Sequence, residues 1–209
     1  MARIEYGVVV GNTYDKYGSS NPVVKWMVKN FLTAFDELVG QTSPQTIFEA
    51  GCGEGHLTSR LIRNTEGRIE ALDISESVIE EAKERIEGIP GAENVNFYQG
   101  DFLEMEGVIS PSDLVVCCEV LEHLEDPQLG LDLLAKTTKS HAILSVPREP
   151  LWRGLNMARL SYLSDFGNTP GHLNHWSKRE FLEFVSSRFS VVDCRTPVPW
   201  TFVLCQPKL

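Results

Sequence analysis

Residues 46–62 read TIFEAGCGEGHLTSRLI, and this stretch decides the fold class. The apolar run at 46–50 has the length of a buried strand, glycines follow at positions 51, 53 and 55, and residues 56–64 have helical spacing. A glycine turn between a strand and a helix points backbone amides and the positive helix end at a crevice beyond the strand. Glycine also lets a ligand approach the backbone closely. We therefore predict a strand–turn–helix unit that forms part of a binding site.

The spacing of these glycines argues against a dinucleotide as the ligand. Gly51, Gly53 and Gly55 form G-x-G-x-G, whereas the dinucleotide fingerprint is G-x-G-x-x-G, and His56 occupies its third glycine position. A pyrophosphate is therefore not the favoured ligand. A turn with a purely structural role is the alternative.

Strand-like and helix-like patterns alternate along the chain after residue 45. Further strands are predicted at 68–73, 95–99, 113–119 and 142–146, and helices at 56–64, 75–87 and 127–138. This alternation is typical of an α/β protein with a parallel sheet. Near the end of the chain, a helix at 178–187 precedes strands at 190–195 and 201–206. Only TPVPW joins those strands, so they pair antiparallel or have different partners.

Composition and charge narrow the class of protein. The chain has 209 residues, of which 42% are hydrophobic, enough for one sizeable core and a single domain. No apolar run approaches the ~20 residues of a membrane span, and the start MARIEYGVVV lacks the pattern of a secretory signal. The cysteine count is odd without C-x-x-C spacing, which favours free thiols. We expect a cytoplasmic protein, and the net charge of −10 makes nucleic acid an improbable partner.

Carboxylates recur where the predicted strands end. Asp73 lies about 20 residues beyond the glycines, where a carboxylate can accept hydrogen bonds from both ribose hydroxyls, although a helix-cap role is the alternative. Asp101 precedes Phe102, offering an acceptor for an adenine amino group beside an aromatic face. Glu49 and Glu119 end two more strands. Because the carboxyl ends of parallel strands converge, these groups are predicted to share one crevice.

Four segments resemble, in order, the motifs of class I S-adenosylmethionine-dependent methyltransferases of the methyltransferase-11/UbiE-like type. They are FEAGCGEG, ALDIS, QGDF and CCEVLEHLEDP, and the similarity covers about residues 45–206. The resemblance implies an enzyme with a Rossmann-like seven-stranded sheet, mostly parallel with an antiparallel last strand, and helices on both faces. It also implies S-adenosyl-L-methionine as the cofactor.

The resemblance implies a role for each matching residue. The turn with Glu49 would hold the methionine portion, and Glu119 would line the methionine end. Asp73 would bind the ribose, Ile74 would pack on the adenine, and Asp101 and Phe102 would fix its amino group and face. The expected cofactor-binding residues are Glu49, Gly51, Cys52, Gly53, Gly55, Asp73, Ile74, Asp101, Phe102 and Glu119, together with Tyr14, whose ring can contact the sulfonium.

The segments outside the motifs are expected to handle the acceptor. We divide a single methyltransferase domain into an N-terminal helical lid at 1–44, a cofactor-binding core at 45–147, an acceptor-binding insertion at 148–178, and a C-terminal helix with the last two strands at 179–209. The expected acceptor is a small, partly apolar molecule methylated at oxygen or nitrogen. A cofactor-binding module without catalysis is the rival from another class, and the resemblance fixes neither the acceptor nor the oligomeric state.

Two histidines are the candidates for proton transfer. Histidine is the side chain best suited to take a proton near neutral pH. His123 follows Glu122 in the fourth motif, and His175 lies in the loop before the last helix. We predict both as catalytic, with His175 as the candidate base; a histidine that only fixes this loop is the alternative.

A second resemblance raises the question of a metal. EVLEHL and the later GHLNHWSKREF are similar to the pattern of small-RNA 3'-end 2'-O-methyltransferases, in which two glutamates and two histidines hold a divalent ion. The first of these segments also resembles ubiquinone O-methyltransferases. The corresponding residues are Glu119, Glu122, His123 and His172 or His175. Because E-x-x-E-H also occurs in family members without metal, we predict none, and RNA 3'-end methylation stays the alternative function.

Overall fold

The structure is a computed structural model that describes residues 3–5, 8–11, 16–104, 107, 109–158, 162 and 165–208. The predicted contribution of Tyr14 falls outside these residues. Within them, the strands are β1 Arg3–Glu5, β2 Val8–Val10, β3 Thr46–Ala50, β4 Arg68–Asp73, β5 Val95–Gln99, β6 Ser112–Cys118, β7 Thr138–Pro147, β8 Phe189–Arg195 and β9 Trp200–Pro207. The α-helices are α1 Pro22–Val39, α2 His56–Asn64, α3 Glu76–Ile86, α4 Pro127–Thr137, α5 Leu151–Ala158 and α6 Lys178–Val185.

Seven of these strands form one mixed sheet in the order β5-β4-β3-β6-β7-β9-β8. The neighbours from β5 to β7 pair in parallel, whereas β9 is antiparallel to both β7 and β8. This arrangement confirms the predicted fold class and the antiparallel pairing of the last two strands. The order reverses between β4-β3 and β6, which opens a crevice beyond the carboxyl ends of β3 and β6.

Both faces of the sheet are covered, which explains why its central strands are apolar throughout. Ile47 and Phe48 are successive residues of β3, point to opposite faces and are both buried. On the face of Ile47, α1, α2 and α3 contribute Phe35, Leu61 and Ile79 to the core. On the face of Phe48, α4 and α6 contribute Leu131, Leu134, Phe181 and Val185.

The N-terminal segment contains a feature that we did not predict. Strands β1 and β2 pair antiparallel as a small separate sheet, with Arg3 opposite Val10. The carboxylate of Glu5 accepts hydrogen bonds from the hydroxyls of Ser75 (2.7 Å) and Ser77 (2.5 Å), at the start of α3. Three-residue strands are too short to show periodicity in a sequence, so the prediction for this region contained only α1.

Within the described residues, no helix combines the length and the apolar character that crossing a bilayer requires.

Candidate functional site

The three positions after β3 are occupied by glycine for different structural reasons. A Cβ on Gly51 would overlap the side chain of Val120, and a Cβ on Gly55 would lie 2.9 Å from the backbone of Ala82, so both positions need glycine for packing. Gly53 has φ +52 and open space around it. Its amide donates to Oδ2 of Asp73 at 2.9 Å. Packing therefore fixes the turn at Gly51 and Gly55, whereas Gly53 in its middle lines the crevice.

Asp73 joins the turn to the start of α3. Its Oδ1 accepts from the amide of Ser75 at 3.0 Å, and Ser75 is itself the N-cap that accepts from the amide of Val78. Burial raises the pKa of Asp73, and the bonds from Ser75 and Gly53 act against that rise. The helix-cap role named as the alternative for Asp73 thus belongs to Ser75, whereas Asp73 organises this loop and lines the crevice.

A cavity of about 430 Å³ fills the crevice beyond the strand ends. It is large enough for a cofactor-sized ligand. Nine of the predicted cofactor-binding residues line it: Glu49, Gly51, Cys52, Gly53, Asp73, Ile74, Asp101, Phe102 and Glu119. Gly55 is not among the described lining residues, because it packs against α3 instead. Carboxylates, a glycine turn and an aromatic ring on one wall are a donor set that fits S-adenosylmethionine.

Glu49 lies at the buried end of β3 with 2% of its surface exposed. The hydroxyl of Thr58 donates to its Oε2 at 2.7 Å. Burial raises the pKa of Glu49 to about 8, despite the opposing effect of the Thr58 hydrogen bond. Glu49 is therefore largely protonated at neutral pH.

A second cavity of about 400 Å³ adjoins the first. The two cavities share four lining residues, Gly11, Lys16, Glu119 and His123, and we call this place the junction. Apolar walls come from α1 and α5, and polar groups come from α5, from the segment after β6 and from the loop between α5 and α6. The apolar wall residues include Val24, Met27, Val28, Trp152 and Leu155, and the polar ones include Glu122, Asn156, Thr169 and His172.

The loop between α5 and α6 is docked on the segment that follows β6. The amides of Leu173 and Asn174 donate to the carbonyl oxygen of Glu122 at 2.8 and 3.0 Å. The Asn174 side chain donates to the carbonyl oxygen of Leu124 at 2.6 Å. These bonds bring His172 beside His123, although 48 residues separate them, and their rings meet edge to face at 4.9 Å.

Glu122, His123 and His172 form a cluster whose ligand-type atoms lie within 4.8 Å of one another. Both carboxyl oxygens of Glu122 are buried and have no hydrogen-bond partner among the described residues. Nδ1 of His123 donates to the carbonyl oxygen of Gly171 at 2.9 Å, because that oxygen can only accept. In the neutral ring, Nε2 of His123 therefore keeps a free lone pair. A buried carboxyl without partners beside two imidazoles is an arrangement that can hold a divalent ion.

The pKa values of this cluster favour neutral groups. Burial lowers the pKa of His123, and burial followed by the charge of His123 lowers that of His172 to about 3. Burial, followed by the negative charge of Glu119, raises the pKa of Glu122 well above its usual range. Both histidines are thus neutral near pH 7 and can bind a metal ion without first losing a proton.

Glu119 sits at the junction in a left-handed backbone conformation with φ 61. Such a conformation costs a residue other than glycine on the order of 1–3 kcal/mol and is common at functional sites. Its side chain is fixed from two sides, since Nε1 of Trp200 donates to Oε2 at 2.6 Å and the Ser145 hydroxyl donates to Oε1 at 3.1 Å.

The structure separates the two histidines predicted as catalytic. His123 lines both cavities, whereas His175 is absent from the described lining residues of either. Nε2 of His175 instead contacts Oδ1 of Asn168 at 2.7 Å, which is the loop-fixing role named as its alternative. His172 occupies the wall of the second cavity in its place. The sequence reading also missed Lys16 and Trp200, since a lone lysine and a tryptophan after a short turn carry no motif.

Comparisons with known proteins place the chain in a family. The sequence profile described as "Methyltransferase domain" matches residues 41–162. The ubiquinone biosynthesis O-methyltransferase of Nitrosomonas europaea is 28% identical over 111 residues, which are 52% of this chain and 46% of that protein. The chain spans between 19% and 46% of the length of the curated relatives that it matches.

Solved structures share the fold at low sequence identity. The N-methyltransferase NodS of Bradyrhizobium japonicum, in complex with S-adenosyl-L-homocysteine, has a TM-score of 0.69 at 16% identity and covers 94% of each chain. The small RNA methyltransferase HEN1 has a TM-score of 0.70 at 20% identity over 87% of this chain and 25% of its own.

Proposed function

Because the chain belongs to the methyltransferase-domain family and has the fold of class I S-adenosylmethionine-dependent methyltransferases, we propose that it methylates an oxygen or nitrogen atom of a small, partly apolar molecule. The observation that carries this proposal is the junction. A cavity with the predicted cofactor residues adjoins a second cavity that has apolar walls and several polar side chains. The second cavity is the proposed acceptor site.

Each group of residues has a proposed task in the reaction. S-adenosylmethionine, when bound, supplies a methyl group that is already activated, so the protein mainly has to align the acceptor and exclude water. Asp73 and Asp101 are proposed to hold the nucleoside, and the glycine turn to hold the methionine portion. Nε2 of His123, with its free lone pair at the junction, is proposed to take the proton that the acceptor loses.

Charge favours a small molecule over RNA as the acceptor. The chain has a net charge of −10, and Lys16 is the single lysine or arginine among the described residues that line the second cavity. RNA binding depends largely on cationic side chains that neutralise phosphates. Apolar side chains of α1 and α5, in contrast, match an acceptor with an apolar body.

Calorimetric titration of S-adenosylmethionine into the wild type and Asp73→Ala tests the cofactor site. The carboxylate is proposed to accept two charge-assisted hydrogen bonds of ~1.5–3 kcal/mol each, so the variant should bind at least about 100-fold more weakly. Glu76→Ala removes an exposed carboxylate three residues away and should leave binding unchanged. Equal affinity in wild type and Asp73→Ala would remove Asp73 from the site. Transfer of a labelled methyl group to amines or phenols then separates an enzyme from a binding module.

A second candidate function, metal-assisted methyl transfer, is favoured by the cluster of Glu122, His123 and His172. The unpartnered carboxyl group of Glu122 fits a divalent ion, and mixed carboxylate and imidazole ligands suit manganese or iron. The ion would supply a positive charge that lowers the pKa of an acceptor hydroxyl. If the ion binds, metal-assisted methyl transfer replaces our expectation that the protein holds no metal.

Titration with Mn²⁺ distinguishes the two candidates. If the cluster is a metal site, the wild type should bind Mn²⁺ and His172→Ala should lose at least about 10-fold in affinity, the effect of removing a ligand or its support. His141→Ala is the matched control, because His141 contacts Gln206 away from both cavities. Methyl transfer that survives chelation, in a wild type that does not bind Mn²⁺, favours His123 as a simple base.

A further inference from the structure

The junction is the place where the methyl group has to pass from one cavity to the other. This inference rests on the proposed function, in which the first cavity holds the cofactor and the second the acceptor. Lys16 lines both cavities, as do Glu119 and His123. The sulfonium of the cofactor has to face the second cavity to deliver its methyl group. It therefore has to lie at the junction, beside Lys16.

Three aromatic rings surround the ammonium of Lys16. Its Nζ lies 5.4 Å from the ring centroids of Tyr17, Phe31 and Trp200. Tyr17 and Phe31 line the first cavity, and Trp200 lines the second, so the ammonium stands on their border. Ring faces attract a cation by ~0.5–2 kcal/mol each, more strongly where water is excluded. These ring faces can bind any positive charge of suitable size, and the sulfonium of the cofactor carries such a charge.

Carboxyl groups at the same place strengthen the preference for a cation. Trp200 donates to Oε2 of Glu119 at 2.6 Å, so the ring that faces Lys16 is also anchored to an acidic side chain. Glu122, whose carboxyl oxygens have no partner in the part of the chain that the structure describes, lines the second cavity with Lys16. The positive charge of Lys16 counteracts the rise in pKa that burial causes in both glutamates. In the described part of the chain, the ammonium of Lys16 therefore lies among three aromatic rings, and two carboxyl groups line the second cavity with it.

We propose that the Lys16 ammonium and the sulfonium of S-adenosylmethionine compete for this one cation position, and that Lys16 thereby sets the preference between the cofactor and its product. A second positive charge beside the first is repelled, so the sulfonium has to displace the ammonium from the rings. S-adenosylhomocysteine has a neutral thioether and leaves the ammonium in place. The wild type should therefore bind the product more tightly, relative to the cofactor, than a protein without this charge.

The test is the ratio of the dissociation constants of S-adenosylmethionine and S-adenosylhomocysteine, measured by calorimetry. Lys16→Met keeps a long side chain and removes the charge, and it should lower this ratio by about 5- to 10-fold, a difference of about 1–1.4 kcal/mol. Lys16→Arg keeps a cation that also packs on rings and should retain the wild-type ratio. Sinefungin carries an amine in place of the methylsulfonium, so its dissociation constant should change in these variants in the same direction as that of S-adenosylmethionine.

Lys25→Met is the matched control, because Lys25 is an exposed lysine of α1 that lines neither cavity among the described residues. It should leave the ratio unchanged. An unaltered ratio in Lys16→Met, or one that rises, would overturn the proposal. A purely structural role of Lys16 would weaken both ligands equally and also overturns it. If the wild type binds neither ligand, the proposed function itself fails, which is a distinguishable result.

Discussion

Glu49 shows how a single residue at the end of a strand couples the site to stability. Its carboxyl group is buried, and its pKa of about 8 in the folded protein lies above its ordinary value of 4.5. The folded protein therefore binds more protons than the unfolded chain between these pH values. Its contribution to the free energy of unfolding is fully present below pH 4.5 and is lost as the pH rises through 8.

We expect Glu49→Gln to remove this pH dependence. The glutamine oxygen can still accept from Thr58, but the side chain never has to ionise in the core. The free energy of unfolding of the variant, relative to that of the wild type, should therefore increase by on the order of 3–5 kcal/mol as the pH rises from 5 to 9. Urea unfolding at each pH measures this difference. Glu66→Gln, at an exposed position, serves as the control. Parallel pH profiles for Glu49→Gln and wild type would show that Glu49 ionises freely in the folded state.

At the scale of elements, the segment before α1 and the helix itself form one side of both cavities. The ring of Tyr17 stacks on His56 at 3.5 Å with an interplanar angle of 12°, directly at the start of α2. Phe31 of α1 lines the first cavity, and Met27 and Val28 line the second. This placement supports the proposal that the N-terminal region acts as a lid over the cofactor.

Hydrogen exchange with and without S-adenosylhomocysteine tests the lid. The amides of residues 16–35 should exchange more slowly when ligand is bound, because a lid that closes on its ligand opens less often. Helix α4 is the internal control, since its residues line neither cavity in the described part of the chain. Slower exchange at the glycine turn, residues 51–55, combined with unchanged exchange at 16–35, would contradict a lid.

The elements also differ in how well the sequence predicted them. The bounds of β3, β4, β5 and α2 agree with the prediction because glycine, proline or polar residues flank each one. Strand β7 is longer than predicted, since it begins at Thr138 with polar residues that pair with β6 all the same. Helix α5, Leu151–Ala158, lies in the segment expected to bind the acceptor, outside the helices that we predicted.

At the scale of the whole molecule, the order of the strands in the sheet brings the ends of separate strands together at one site. The carboxyl ends of β3, β4 and β6 supply Glu49, Asp73 and Glu119, which the chain order keeps far apart. The docked loop between α5 and α6 then closes the second cavity with His172. The proposed cofactor side is thus built mostly from the strand ends of the sheet, and the proposed acceptor side from segments around it.

The sequence alone determined the family, the fold class and nine residues that line the first cavity, because those features depend on local signals. Strand periodicity, a glycine turn and a carboxylate after each strand can all be recognised within a few residues. The tertiary structure decided the second cavity: that His172 rather than His175 lies beside His123, that Lys16 stands among the rings of Tyr17, Phe31 and Trp200, and that Glu122 is buried without a partner within the described residues. These facts depend on contacts between segments far apart in sequence, and such contacts follow from packing, for which no short pattern exists.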